Sequence, residues 1–289
     1  ISSGIRHART RAPLMPDWAS FVRDAVQLLP AGPERARARA ALDSGLLEEA
    51  ATTLRDGMVR AKWLSLLRER FEATSADMHV DSIEVLRAIW GVSKGLVVTT
   101  NYDGTLSWVR SSADVQPVVY GLHAPPDLSS LLGGSQETPV LWHLHGSIQH
   151  PDTIVLARSE YERLYGTVDP AVGGEDQATV HVRDRNLDAA YLCLQALVAT
   201  QNLLFIGTSL TDPRVNRVLA KIDRLFPVAR TRHFMVCLES ELDPVRKRLH
   251  ESGLDDYITP LPLGSYERDL LGRLRMLSEG VEAVAALEL

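Results

Sequence analysis

Residues 95–103, Gly-Leu-Val-Val-Thr-Thr-Asn-Tyr-Asp, decide the predicted fold, because a short apolar run there ends abruptly in hydrogen-bonding side chains. An apolar run without polar alternation predicts a strand that is covered on both faces, as in a parallel sheet. In open parallel sheets, ligands bind in the crevice outside the carboxyl ends of the strands. The stretch therefore predicts a buried strand with a binding site at its polar end.

The chain after residue 95 alternates short apolar runs with amphipathic helices, which is typical of an α/β protein. Several of these runs are apolar on both faces, so we predict a Rossmann-like, mainly parallel sheet with helices on both faces. The predicted strands cover residues 96–100, 115–120, 140–144, 154–157, 203–207, 234–238 and 258–261.

Residues 17–90 have a different pattern, with apolar side chains three and four residues apart and almost no strand signal. That spacing places the apolar side chains on one face of each helix and predicts four or five helices. We expect this helical module to be inserted near the N-terminus, with residues 1–16 and 91–289 forming the Rossmann-like domain.

Charge, hydropathy and cysteine content exclude several classes of function. A formal net charge of -6 gives no overall attraction to nucleic acid or anionic membranes, so we expect no direct nucleic-acid binding. The most apolar region, residues 192–210, is interrupted by side-chain amides, which predicts no membrane span. Cys193 and Cys237 are the only cysteines and lie among apolar neighbours, as expected for reduced thiols in a cytoplasmic protein.

Two further predicted strands also end in polar residues, one at His145-Gly146-Ser147 and the other at Gly207-Thr208-Ser209. Hydroxyl groups near a helix N-terminus suit phosphate or ribose oxygens, and glycine lets the backbone approach a ligand closely. A histidine poised near neutral pKa, as we expect for His145, can take a proton from a sugar hydroxyl or from water. Three polar strand ends at one edge predict a nucleotide pocket.

The amide of Asn101 can position a water or a ribose hydroxyl, and Asp103 can stabilise positive charge that develops on a ribose. Both residues also have a structural interpretation, an Asx-type turn that ends the strand. His143 and His145 are two residues apart and could face one side as metal ligands, but no third ligand stands at a recognisable spacing. We favour a hydrogen-bonded core position for His143.

Several charged residues have structural interpretations that we favour over functional ones. Asp212, directly before Pro213, is predicted to cap a helix. The basic residues of that helix are spaced as an ordinary solvated face. They are Arg214, Arg217, Lys221 and Arg224. A basic opening stretch is left open, because it could sit over the pocket; it comprises Arg6, His7, Arg9 and Arg11.

The ordered segments ISSGI at 1–5, TTNYD at 99–103, LHGS at 144–147 and GTSLTDP at 207–213 resemble the sirtuin family. The closer resemblance is to bacterial sirtuin-like NAD-hydrolysing domains of anti-phage defence systems, and it extends from residue 1 to about residue 238. It implies that Asn101 binds the ribose and the attacking water, that Asp103 lines the nicotinamide pocket, and that His145 is the base. The residues implied to hold the cofactor are Ser3, Gly4, Thr100, Gly146, Gly207, Thr208 and Ser209.

The sequence departs from the family pattern in two ways. Family deacetylases carry a four-cysteine zinc module, which two cysteines cannot form, so we expect no zinc or other metal and disfavour deacetylation. The Gly-Ala-Gly part of the phosphate loop and the strand that leads into it are not found from Ile1 onward, so we expect them upstream of residue 1.

The resemblance implies an NAD(+) glycohydrolase that uses NAD as its substrate and releases nicotinamide and ADP-ribose. Two alternatives stay open: an NAD or ADP-ribose sensor or assembly module without turnover, and an ADP-ribosyl or deacyl transferase. The resemblance also implies a homo-oligomer or an activating protein partner, such as an argonaute-type or ATPase-type sensor.

Overall fold

The structure is a computed structural model that describes residues 4–287, apart from the short gaps given at the end of this paragraph. Ser3 and Ser209, two of the predicted cofactor-binding residues, lie outside the described residues. The gaps are residue 73, 112–116, 123, 125–126, 128, 130, 132–134, 136, 166–184, 209, 211 and 227–231.

Four helices with a shared apolar core form the beginning of the chain. Asp17 starts the first helix, where its side chain accepts a hydrogen bond from the backbone N–H of Ser20 at 2.8 Å. Phe21, Leu54 and Leu67 are fully buried between these helices. The helices are α1 (Trp18–Val26), α2 (Pro33–Asp43), α3 (Leu47–Gly57) and α4 (Arg60–Phe71).

The described strands pair in parallel as two groups of three. The first group is β1 (Leu96–Thr99), β2 (Val118–Tyr120) and β3 (Val140–His143), in the order β1-β3-β2. The second is β4 (Leu204–Phe205), β5 (His233–Leu238) and β6 (Ile258–Leu263), in the order β4-β5-β6. All four residues of β3 are buried, as expected for a central strand.

Helices follow most of the strands, and short 3-10 turns lie at Ser75–Asp77, Pro151–Thr153 and Glu239–Glu241. These helices include α8, which carries Cys193 as a buried free thiol. The described helices after α4 are α5 (Val80–Val92), which precedes β1, and α6 (Thr105–Ser111), α7 (Arg158–Tyr165), α8 (Arg185–Thr200), α9 (Pro213–Leu225), α10 (Leu242–Glu251) and α11 (Tyr266–Leu287).

Both groups of strands lie between the same two layers of helices. Trp142 of β3 and Met235 of β5 share one apolar cluster with α8, α9 and α10. Their neighbours Leu141 and Val236 share the other cluster with α5 and α11. Because successive strand residues face opposite sides, each group of strands is covered on both faces. The predicted α/β fold with a mainly parallel sheet is confirmed.

The fifth predicted helix, α5, does not share the core of α1–α4. Its residues Leu86, Ile89 and Trp90 pack in the cluster that covers the sheet. The domain boundary at residues 17–90 therefore stays a prediction, while α1–α4 form the part with its own core. Within the described residues, no helix is long and apolar enough to cross a membrane.

The predicted strand at residues 154–157 is wrong, because this buried segment has no strand pairing. The Val155 N–H donates to the His145 carbonyl at 2.9 Å, and the N–H groups of Leu156 and Ala157 donate to the Glu160 carboxylate. These donors are satisfied locally, and Ile154 and Leu156 pack into the core of α1–α4. This apolar segment therefore packs against α1–α4 of the helical module.

Candidate functional site

Asn101 and His145 follow two strands that are direct neighbours. Thr99 of β1 is paired with His143 of β3, and each candidate lies two residues beyond its member of that pair. Two backbone hydrogen bonds join the segments that follow the two strands. The Leu144 N–H donates to the Thr99 carbonyl at 2.9 Å, and the Ile148 N–H donates to the Tyr102 carbonyl at 2.8 Å. The polar ends of β1 and β3 are thus held together at one edge of the sheet.

His143 fixes the backbone of Asn101. Its Nδ1 lies 2.9 Å from the Asn101 carbonyl oxygen. A carbonyl only accepts, so Nδ1 carries the hydrogen of this bond. Burial lowers the pKa of His143, which favours the neutral ring. The predicted hydrogen-bonded core position of His143 is confirmed.

His145 is buried in an aromatic environment. Its Nε2 lies 2.7 Å from the Tyr165 hydroxyl, and the rings of Tyr161 and Tyr165 stand nearly perpendicular to it at centroid distances of 5.3 and 5.9 Å. Burial, together with the charge of Arg214, lowers the pKa of His145 to about 3. The expectation of a near-neutral pKa is therefore wrong. His145 is uncharged at physiological pH, and Nε2 is engaged by a phenol.

Asp103 begins α6. Its carboxylate accepts hydrogen bonds from the backbone N–H of Thr105 at 3.0 Å and from the Thr105 hydroxyl. The side chain is buried, with 3% of its surface exposed. The turn-forming interpretation of Asp103 is confirmed, and its role at a nicotinamide pocket stays a prediction.

Glycine at position 146 is required by the backbone. Its φ angle is +87°, and a Cβ atom would lie 2.4 Å from the Thr153 carbonyl oxygen. This close approach explains the glycine without a ligand. Thr100, which precedes Asn101, is exposed and so available at the sheet edge.

A second group of predicted residues lies around a cavity of about 790 Å³. Gly4, Gly207 and Thr208 line it, together with Arg6 and Arg11 from the basic opening stretch. Gly207 has a φ angle of +67°, so the chain turns sharply at the end of the segment that follows β4. This volume is in the range of small-molecule sites.

The described lining of this cavity does not include Asn101, Asp103 or His145. The structure thus brings the predicted residues together in two groups, one at the ends of β1 and β3 and one around the cavity. A single site that joins the two groups stays a prediction. Among the described residues, no cluster of three or more His, Cys, Asp or Glu side chains is arranged to hold a metal ion.

Arg214 is the residue that the sequence interpretation placed wrongly. Asp212 caps α9 as predicted, accepting from the Arg214 N–H at 2.8 Å. The Arg214 side chain, however, is only 8% exposed and pairs with Glu48 of α3. Arg217, Lys221 and Arg224 are exposed, as predicted for a solvated face. Arg214 differs because it stands in the first turn, next to the cap, where α3 covers the helix end.

Comparison with known proteins agrees with this architecture. A model of the SIR2-like domain matches residues 95–257, which is more than half of the chain. The chain belongs to the SIR2-like domain family. The matched region contains both strand ends at Asn101 and His145 and the Gly207-Thr208 turn. The predicted membership of the sirtuin-like group is confirmed.

The SIR2-like chain is also similar to the NAD(+) hydrolase ThsA of Bacillus cereus (strain MSX-D12), with 23% identity over 105 residues. The similar stretch covers 36% of this chain and 18% of ThsA, so it spans well under two thirds of that relative. Together the two similarities support an NAD-related function.

Proposed function

We propose that this protein is an NAD(+) glycohydrolase that cleaves the bond between nicotinamide and ribose and releases nicotinamide and ADP-ribose. The observation that carries the proposal is the pairing of Thr99 with His143, which sets Asn101 and His145 at one sheet edge. Family membership and the similarity to an NAD(+) hydrolase support the same chemistry.

In the proposed reaction, the bond between the ribose C1′ and the nicotinamide nitrogen breaks, and its electron pair leaves with nicotinamide. Asn101 holds a water molecule against the resulting oxocarbenium-like ribose, and the water oxygen forms the new bond to C1′. His145 is neutral and can accept the proton that the water loses, once Nε2 is free of Tyr165. Gly4, Gly207 and Thr208 would hold the adenosine and phosphate half of the substrate.

Nicotinamide release from NAD(+) tests the proposal. Asn101→Ala and His145→Ala should abolish release while circular dichroism and thermal unfolding stay like those of the parent protein. The matched control is Gln201→Ala, which removes an exposed amide near the amino end of β4. Release by Asn101→Ala at the parental rate would exclude the assigned role.

A second candidate, an NAD or ADP-ribose sensor without turnover, is favoured by one observation. The Nε2 atom of His145 is occupied by Tyr165 and the pKa of His145 is low, so the ring is a weak base in this structure. A time course separates the candidates. A sensor would bind ADP-ribose saturably without releasing nicotinamide, whereas a hydrolase accumulates nicotinamide linearly with time.

We also propose that the activity serves as an anti-phage defence effector and is switched on by self-association or by a partner, such as an argonaute-type or ATPase-type sensor. Unregulated loss of NAD would harm the host cell, which favours such control. Specific activity measured against protein concentration tests self-association, because an activating oligomer gives a rate that rises more steeply than the concentration.

A further inference from the structure

A partly buried ion pair joins α3 of the helical module to the start of α9, close to His145. The two terminal nitrogens of Arg214 each lie 2.8 Å from one carboxylate oxygen of Glu48. The Arg214 side chain is 8% exposed and the Glu48 side chain 35% exposed, so the guanidinium is shielded from water and the carboxylate is partly exposed. A two-point contact of this kind fixes the orientation of the guanidinium plane as well as its position.

The guanidinium of Arg214 in turn lies over the ring of Tyr161, with its central carbon 4.8 Å from the ring centroid. Tyr161 stands edge-on to His145 and is stacked with Tyr165 at 6.5 Å. A cation over an aromatic face is attracted to the ring, so this contact favours one orientation of Tyr161. Glu48 therefore contacts Arg214, Arg214 contacts Tyr161, and Tyr161 contacts His145.

A second set of contacts from the same face of α3 fixes the helix that carries both tyrosines. Arg55 pairs with Glu160 of α7 at 2.6 Å, and the Thr52 hydroxyl accepts from the Arg158 N–H at 3.0 Å. Glu160 also accepts from the backbone N–H groups that precede α7. Residues 48, 52 and 55 lie on one face of α3, because residues three and four apart on a helix are neighbours. Helix α3 thus holds both α7 and the start of α9.

We propose that Glu48 and Arg214 are positioning residues, which orient His145 through Tyr161, and that the helical module is therefore an integral part of the catalytic site. This inference rests on the proposed NAD(+) glycohydrolase function. Neither side chain needs to contact the substrate. A misplacement of a catalytic group by about 1 Å can reduce the rate roughly 100-fold. The packing contacts from Glu48 to His145 are therefore sufficient to affect the rate.

The competing interpretation is that the Glu48–Arg214 pair holds the site shut. Under that interpretation, breaking the pair would raise kcat. Under the positioning interpretation, breaking the pair lowers kcat and leaves KM nearly unchanged, because the pocket around Gly207 and Thr208 is not touched.

The experiment uses Arg214→Gln, Arg214→Lys and Glu48→Gln in the full chain, each checked by thermal unfolding. The control is Glu49→Gln, which alters the next residue of α3; Glu49 is half exposed and lies 3.6 Å from Arg158. We expect kcat to fall about 100-fold in Arg214→Gln with KM within about twofold, partial recovery in Arg214→Lys, and no change in the control.

The pH profile supplies a readout that a purely structural role would not change. The charged and titratable groups around the ring are Tyr161 and Tyr165 on α7, Asp212 at the cap of α9, Arg214 in the first turn of α9, and Glu48 on α3. Arg214 helps to lower the pKa of His145, so Arg214→Gln should raise that pKa and move the acid limb of kcat/KM to higher pH. Arg214→Lys keeps the charge and should leave the limb in place.

Folded Arg214→Gln with parental kcat and an unmoved acid limb would overturn the inference, and so would a rise of kcat in Glu48→Gln. If the parent protein released no nicotinamide, the proposed function would fail instead. NMR titration of the His145 ring would then still test whether Arg214 positions that ring. A chemical shift and a pKa of His145 that do not change in Arg214→Gln contradict this role, and a changed pKa supports it.

Discussion

The Tyr165 hydroxyl lies 2.7 Å from Nε2 of His145, and both side chains are buried. Burial also raises the pKa of Tyr165 well above its ordinary value, so the phenol keeps its proton. The pair is therefore a neutral hydrogen bond, and in the proposed reaction Tyr165 has to be displaced before Nε2 can accept a proton.

Replacing Tyr165 with Phe should lower the free energy of unfolding by about 1–3 kcal/mol, because the change leaves Nε2 of His145 buried without its partner. The ring volume is kept, so packing against Tyr161 is little altered. Urea denaturation of the two proteins measures the difference. An unchanged midpoint and slope would show that the hydrogen bond contributes nothing to stability.

Gly146→Ala should destabilise the protein by roughly 1–3 kcal/mol, since the new Cβ would meet the Thr153 carbonyl oxygen at 2.4 Å and φ is positive. Gly272→Ala is the control, because that glycine lies within α11 and has open space around it. There the substitution should stabilise by about 0.5–1 kcal/mol. Thermal unfolding shifts of the same sign in both variants would contradict the structure.

Glu160→Gln should destabilise the attachment of the helical module by about 1.5–3 kcal/mol, because the carboxylate accepts charged and backbone hydrogen bonds at once. Glu162 is the matched control, since its ion pair among the described residues is the exposed one with Arg158, four residues away. Its replacement by Gln should cost no more than about 0.5 kcal/mol. Equal losses in chemical denaturation would argue against a specific contact at Glu160.

Acid should destabilise the fold through His233, which is fully buried and accepts from the Leu203 N–H through Nδ1. Burial lowers the pKa of His233 from 6.5 to about 4. The unfolded chain therefore binds the proton more readily, and stability falls as the pH drops from about 6.5 to about 4, by at most roughly 1.4 kcal/mol per pH unit for this group.

His145, whose pKa is lowered to about 3, causes a further loss of folding stability as the pH falls. His233→Asn keeps an acceptor for the Leu203 N–H and cannot take up a proton, so its stability should depend less on pH over that window. Urea midpoints measured at several pH values test this. Parallel curves for the two proteins would rule out His233 as a contributor.

Local signals in the sequence predicted the sheet and the helix starts well. The apolar run at Val97 and Val98 identified a buried strand, and Asp212-Pro213 identified the start of α9, because strand burial and helix capping depend on adjacent residues. The polar strand ends at Asn101 and His145 were found for the same reason: parallel neighbours bring their carboxyl ends to one edge.

Contacts between distant parts of the chain were not predictable in this way. Arg214 has the spacing of a solvated residue, and only the packing of α3 against α9 buries it against Glu48. The low pKa of His145 likewise depends on burial and on the charge of Arg214, which is distant in the sequence. Residues 154–157 are apolar enough for a strand, yet their donors are taken by His145 and Glu160.

The central claim is that the ends of β1 and β3 and the cavity at Gly207-Thr208 act on one NAD molecule. Steady-state nicotinamide release by Asn101→Ala and by Gly207→Val tests it most directly. We predict that Asn101→Ala loses kcat with KM retained, and that Gly207→Val, which places a branched side chain in the cavity, raises KM. Parental kinetics in either folded variant would contradict a shared site.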